Sequence, residues 1–207
     1  MNFFSQEFKN QLTKTVSEIE NNSQVEVVVI IKAISGNYED NALKLGAILS
    51  FISFTLFMFL PSEFGSYLIY TGTTAAFVIP VILGYLSKSI LRSLVSPKRM
   101  ARNVEIMARA IFQKAGIYNT KNKIGVLIYG SLFEEKVYIL PDRGAENSIP
   151  AEEWERITVN LTKILKNSDS GATFLSELKN CSHIFSKYIP PIENDINELP
   201  DNLEINL

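Results

Sequence analysis

The chain has 207 residues, and its 20 basic and 22 acidic side chains leave a formal net charge of −2. That balance supplies no positive field for a phosphate backbone, so no nucleic-acid partner is expected. One cysteine, Cys181, and one histidine, His183, exclude an internal disulfide framework and any site built from several thiolates or imidazoles.

The N-terminal MNFFSQEFKN is polar and lacks a signal-peptide pattern. Phe4, Phe8, Leu12, Val16 and Ile19 recur at three to four residues, which predicts an amphipathic helix over about 3–21. Asn21, Asn22 and Ser23 end it. VEVVVIIKAI, Val25 to Ile34, is rich in β-branched residues and apolar on both faces, the pattern of a strand in the centre of a sheet. Ser35, Gly36 and Asn37 then turn the chain into a helix that runs on into an uncharged stretch.

Between Lys44 and Lys88 the only ionisable side chain apart from the tyrosines is Glu63. It separates an apolar run, Leu45 to Ser62, from a second, Phe64 to Ser87. A helix crosses the hydrocarbon core in about 20 apolar residues, and lipid offers backbone groups no partners, so each run is expected to be a spanning helix. Pro61, Ser62, Gly65 and Ser66 surround Glu63 with turn-forming residues, which predicts a tight hairpin of helices over about 45–61 and 66–87. Lys44 precedes the hairpin and Lys88, Arg92, Lys98, Arg99 and Arg102 follow it, whereas the turn has no basic residue. Positive flanks stay on the cytoplasmic side, so the N- and C-termini are expected to be cytoplasmic, with Glu63 solvated at the far end.

Beyond the hairpin, Val104, Met107, Ala108, Ile111, Phe112 and Ala115 predict another amphipathic helix, with Gly116 as its C-cap. IGVLIYG and KVYILPD flank SLFEE and read as an antiparallel β-hairpin, with Thr120 and Gly125 shaping its entry. Pro150, Glu152 and Glu153 open a helix whose apolar face is Trp154, Ile157, Leu161 and Ile164. A last helix, about 170–188, puts Phe174, Leu178, Cys181, Phe185 and Tyr188 on one stripe, with His183 opposite and facing solvent. An acidic, proline-containing tail closes the chain. The organisation is therefore one α/β (α+β) domain in two parts, 1–43 and 89–190, with the hairpin 44–88 inserted and a tail 191–207. Roughly 160 residues remain outside the hairpin, enough for one core.

The segments SQVEVVVI, TKNKIGVLIYGSLFEEKVYILPDRG, IPAEEW and GATFLSEL, with YIPP after them, resemble the TPM domain family. The order resembles most closely its bacterial membrane-protein branch, in which a transmembrane hairpin interrupts the domain after the first strand. The resemblance implies a sheet flanked by helices, location in the bacterial inner (plasma) membrane, and, for some members, weak acid phosphatase activity or calcium binding. Lumenal relatives carry further glycines and acids after the third strand, where this chain reads GAENSIPAEEW with only Glu146.

Asp142, Arg143 and Gly144 end a strand, and ligands of α/β sheets gather at carboxyl ends of strands. Asp142, Arg143, Gly144 and Glu146 are the candidate binding residues. Asp142 is the candidate metal ligand, for Ca or Mg, and Asp142 with Glu26 or Glu146 the candidate catalytic pair. Glu26 either points to solvent at the start of its strand or projects into a site. Cys181 lies on an apolar stripe and Trp154 on an apolar face, as core residues do. Three functions follow. The favoured one is a membrane-anchored, non-catalytic module that binds or regulates a protein partner. The others are a metal-dependent acid phosphatase of phosphomonoesters and a small transporter or channel component, which the near-absence of charge in the spans disfavours. Gly72, Gly84, Ala75 and Ala76 are suited to close helix packing, within the hairpin or between copies of it in a homo-oligomer.

Overall fold

A computed structural model describes residues 2–61, 63–166 and 171–192. The chain divides into two compact units, one of residues 1–35 and 101–207 and the other Gly36–Met100. The last fifteen residues, most of the predicted tail, and Ser170, the predicted start of the final helix, lie outside the described residues.

The first unit is built on a three-stranded mixed sheet in the order β1-β2-β3, with β1 (Glu26–Lys32), β2 (Gly125–Ser131) and β3 (Lys136–Pro141). β1 runs parallel to β2, and β3 is antiparallel to β2. One face carries α1 (Gln6–Asn22), α7 (Ala151–Leu165) and α8 (Gly171–Tyr188), packed on Val27, Val126, Ile128 and Val137. The other face carries α5 (Pro97–Lys114) through Val104, Ala108, Ile111 and Phe112, together with the 3-10 turn Ile117–Asn119, packed on Val28, Ile30, Leu127 and Tyr129. Odd and even strand residues thus enter different layers, as the two-residue period of a strand requires.

This arrangement corrects the expectation that the first strand is central. β2 is the middle strand, with all seven of its residues buried, and β1 lies at an edge. β1 is apolar on both sides because helices cover both faces of the sheet, whatever a strand's place within it. The α1 stripe also shifts by one residue at its start. Phe3, not Phe4, turns inward, meeting the rings of Phe8 and Phe174 at 5.1 and 5.7 Å, while Phe4 is exposed. Ser5 caps α1 by accepting from the Phe8 amide. Gly116 has φ 69°, the left-handed conformation of a helix C-cap, at the end of α5. Helix α6 (Arg143–Ser148) begins directly after β3, at the residues read from the sequence as a strand end.

The second unit is an antiparallel pair, α2 (Glu39–Phe59) and α3 (Ser66–Leu86), followed by the short α4 (Lys88–Ser93). Both long helices are apolar and long enough to cross a membrane. Small residues set their approach. A Cβ on Gly46 would lie 2.7 Å from the Phe77 carbonyl, one on Gly84 2.6 Å from Ala42, and one on Gly72 2.6 Å from the Phe57 ring. Gly72 and Gly84 are therefore used inside the hairpin. Ser50 adds an interhelical hydrogen bond to the Thr73 carbonyl at 3.2 Å. Arg99 closes the base of the unit, with two bonds of 2.8 Å to the Asp40 carboxylate and a third to the Asn37 carbonyl. The guanidinium also lies 5.4 Å from the centre of the Tyr38 ring.

Candidate functional site

The predicted site residues meet at one end of the sheet. In register, Glu26 pairs with Gly125, and the Asp142 amide donates to the Gly125 carbonyl at 2.8 Å. Glu26, Gly125 and Asp142 thus form one row across three strands, on the α5 face. The row is interrupted in the middle: a Cβ on Gly125 would sit 2.5 Å from the Ile117 carbonyl and 2.8 Å from its Cγ2. Ile117 fills the space between the two acids, whose backbones are two strand spacings apart, about 10 Å. Glu26 is buried, so of its two readings the solvent-facing one is set aside. Buried Thr120 shapes this corner, its hydroxyl accepting from the Ile124 and Gly125 amides at 3.1 and 3.3 Å.

Asp142 is the N-cap of α6, accepting from the Arg143 amide through Oδ1 at 2.8 Å. The next amides are also engaged. Gly144 and Ala145 both donate to the Lys123 carbonyl, at 2.7 and 3.2 Å, and Glu146 donates to the Asp142 carbonyl at 2.8 Å. Gly144 is required by close approach, since a Cβ there would meet the Asn122 and Lys123 carbonyls at 2.5 and 2.6 Å. Lys123 itself holds φ 58° to present its carbonyl. The first-turn donors of α6, the groups that would cradle an anion, are satisfied within the protein, Arg143 by the Asp142 carboxylate and the next three by backbone carbonyls. Asp142, Arg143 and Gly144 come together, then, as a helix start locked onto the 120–123 turn, with the Arg143 and Glu146 side chains exposed on its surface.

A resident calcium ion would need six to eight oxygens. Asp142 Oδ2 is buried without a hydrogen-bond partner among the described residues, a local feature that favours a cation. Oδ1 is committed to Arg143, and Ile117 separates Glu26 from Asp142. Among the described residues no three His, Cys, Asp or Glu side chains converge. The donor set as arranged does not fit a calcium site.

The other end of the sheet holds a polar cluster with no signal in the sequence. It sits at the carboxyl ends of the parallel strands β1 and β2; Asp142, by contrast, ends an antiparallel strand and so lies at their amino ends. The Ser35 hydroxyl meets Tyr129 Oη at 2.8 Å and donates to Ser131 Oγ at 2.7 Å, and the Ser35 amide donates to Glu134 Oε1 at 2.9 Å. Ser131 donates to the other Glu134 oxygen. All four residues are buried, and burial raises the Tyr129 phenol above its usual pKa. Glu134 stands in the SLFEE segment that joins β2 to β3. The positive φ of Glu135, 48°, folds the loop so that Glu134 points inward. With both carboxylate oxygens used, this cluster pins the exit of β1 to the β2–β3 turn.

On the outer surface Arg109 bridges Glu105 at 3.0 Å and Tyr138 Oη at 3.2 Å, and the Glu105 hydrogen bond raises the guanidinium pKa further. Cys181 is buried, and desolvation pushes its thiol up to about 12, which removes thiolate character. His183 is exposed. Trp154 is half-buried against Phe185, ring centres 5.9 Å apart.

Residues 90–179, from α4 into α8, match the family model of the TPM domain. A TPM domain is present. The NMR structure of BA42 protein from the psychrophilic bacterium Bizionia argentinensis has a TM-score of 0.58 to this chain at 16% identity, over 97% of this chain and 94% of that one. That likeness shows the fold alone. No curated protein matches the sequence. In the TPM domain of this chain, α5 and the strand pair β2–β3 fall inside the matched region, while β1, α1 and the helical hairpin precede it.

Proposed function

We propose that this chain is an integral membrane protein of two spans that holds a TPM domain at the cytoplasmic face, where it binds or regulates a protein partner without catalysing a reaction. The observation that carries the membrane reading is the surface of the hairpin. Phe51, Phe59 and Tyr67 are 73%, 84% and 81% exposed, and α3 and the part of α2 after Lys44 carry no charged side chain on any side. Water does not stabilise such a surface, and hydrocarbon does. Tyr67 and Tyr70 near the turn and Tyr85 at the other end stand where aromatic side chains meet headgroups. The basic residues Lys88, Arg92 and Lys98 follow the second span, and the turn carries Glu63 alone, which supports cytoplasmic termini.

The non-catalytic reading is supported by the internal saturation of α6. A phosphoryl site needs donors free to neutralise the phosphate and a nucleophile or metal aligned with it, and the amides after Asp142 are already bound to Lys123 and Asp142 carbonyls. The family name carries the word phosphatase, which favours hydrolysis of phosphomonoesters as the second reading. The two are separated by assaying the full chain, purified in mild detergent, on a generic phosphomonoester with Mg²⁺, Mn²⁺ or Ca²⁺. No turnover above a protein-free blank is expected. Metal-dependent turnover that Asp142→Asn abolishes would replace the interaction reading with the enzymatic one.

A further inference from the structure

The two edges of the sheet are finished differently. Because the Asp142 amide bonds the Gly125 carbonyl, odd-numbered residues of β2 aim their backbone groups at β3 and even-numbered ones at β1. On β3 the outward positions are therefore Val137, Ile139 and Pro141. The Val137 amide is taken by Thr162 of α7 at 3.2 Å, and Pro141 has no N–H, so this edge is blunted. On β1 the outward positions are Val27, Val29 and Ile31. Glu20 of α1 takes the Val27 amide at 3.1 Å, and the backbone groups of Val29 and Ile31 continue along the edge beyond it. No described strand lies outside them.

The sequence of β1, EVVVIIK, is complementary to itself when reversed about Val29. In that register Glu26 faces Lys32, Val27 faces Ile31, Val28 faces Ile30, and Val29 faces its own copy. Outward positions meet outward positions, so the hydrogen-bonding groups are aligned as well. Glu26 and Lys32 lie on the same face of the sheet, so a reversed copy brings Glu26 level with Lys32 at both ends of the pair. The five pairs between them are β-branched apolar residues, the side chains that pack best across strands.

We propose that β1 pairs antiparallel with β1 of a second copy of this chain, centred on Val29, joining the two sheets into one. The pairing residues all belong to the first unit, so the proposal does not rest on the membrane reading. The pairing uses Val29 and Ile31 of each copy, and the Val27 amide joins when Glu20 releases it. The full chain in mild detergent, sized by light scattering, is expected to be dimeric. Val29→Pro removes two central donors while leaving the monomer's own sheet bonds intact, since that N–H points away from β2. It should weaken the dimer by about tenfold or more without changing far-UV circular dichroism. In a Cys181→Ala background, Val29→Cys should be joined to its copy by a short bis-thiol reagent, because facing Cα atoms in such a pair are about 5.5 Å apart. Ile139→Cys on the blunted edge should not be joined. A monomeric wild type overturns the proposal, as does a dimer that survives Val29→Pro. If Val29→Pro fails to fold, cross-linking decides: a dimer without a Val29→Cys link refutes this interface.

Discussion

The two units of this chain draw on the same apolar residue types and bury them in opposite ways. In the first, Val126, Leu127, Ile128 and Tyr129 are fully enclosed, and the covering helices turn charged residues outward. In the second, α2 and α3 have no polar face to turn outward, and each leaves its large side chains uncovered. The difference lies in pattern, not hydrophobicity. α5 places Val104, Ala108 and Ile111 on one stripe and Arg102, Glu105 and Arg109 elsewhere, so one side contacts a sheet and the other contacts water. α2 after Lys44 is apolar at every turn, so it has no polar side to present to water.

The largest expected effect lies in the closed core. Phe174 is fully buried between α1 and the rest of its layer, and Phe174→Ala should cost about 3–5 kcal/mol of domain stability, read by denaturant unfolding. An effect below about 1 kcal/mol would mean the first unit is not closed in this way. Phe51→Arg sharpens the contrast, since Phe51 is as exposed as a surface residue yet belongs to a candidate span. In lipid the change should oppose insertion by about 3 kcal/mol, read as the fraction recovered in washed membranes. In water the same change would be nearly silent, within about 0.5 kcal/mol.

Glycines test the hairpin's inner side. Gly46→Leu should separate α2 from α3 and destabilise the pair by about 1–3 kcal/mol, because Phe77 and Val81 already occupy the space. Gly65→Ala is the control: nothing lies within 4 Å of an added Cβ, so little should change.

How much of this was legible in the sequence depended on which interactions are local. The hairpin was legible because the absence of charge over two long runs is a property of composition. The helix faces were legible from spacing, and Gly116 from its place after an apolar stripe. The edge position of β1 was not, because burial by helices above and below gives the same apolar pattern as burial between strands. Glu134 was not, because its partners Ser35 and Ser131 are brought to it by tertiary contact and by one positive φ. Asp142 was singled out as a candidate ligand-binding residue, and in the structure it is the N-cap of α6. Its role as a helix cap depended on the 120–123 turn, whose carbonyls cannot be placed from sequence.

Two smaller effects follow within the first unit. Asp142→Ala removes the α6 cap and should cost about 1 kcal/mol, measured as a lowered unfolding midpoint. Cys181 gives a pH dependence. Its folded pKa, about 12, lies above the unfolded value near 9, so the stability tied to the buried thiol is fully present below about pH 9 and is lost as pH rises towards 12. Native protein at pH 8 should accordingly react with a thiol reagent only at the rate of unfolding. Rapid labelling in the folded state would show that α8 does not enclose Cys181.

The central claim, a membrane hairpin with its α/β unit on the cytoplasmic side, is tested most directly by cysteine accessibility in intact cells. With Cys181→Ala as background, Ser66→Cys at the start of α3 should react with an impermeant thiol reagent added outside the cells. Asn122→Cys, in the turn before β2, should react only after lysis. Protection of Ser66→Cys together with labelling of Asn122→Cys would reverse the orientation, and recovery of the protein in the soluble fraction would contradict the hairpin itself.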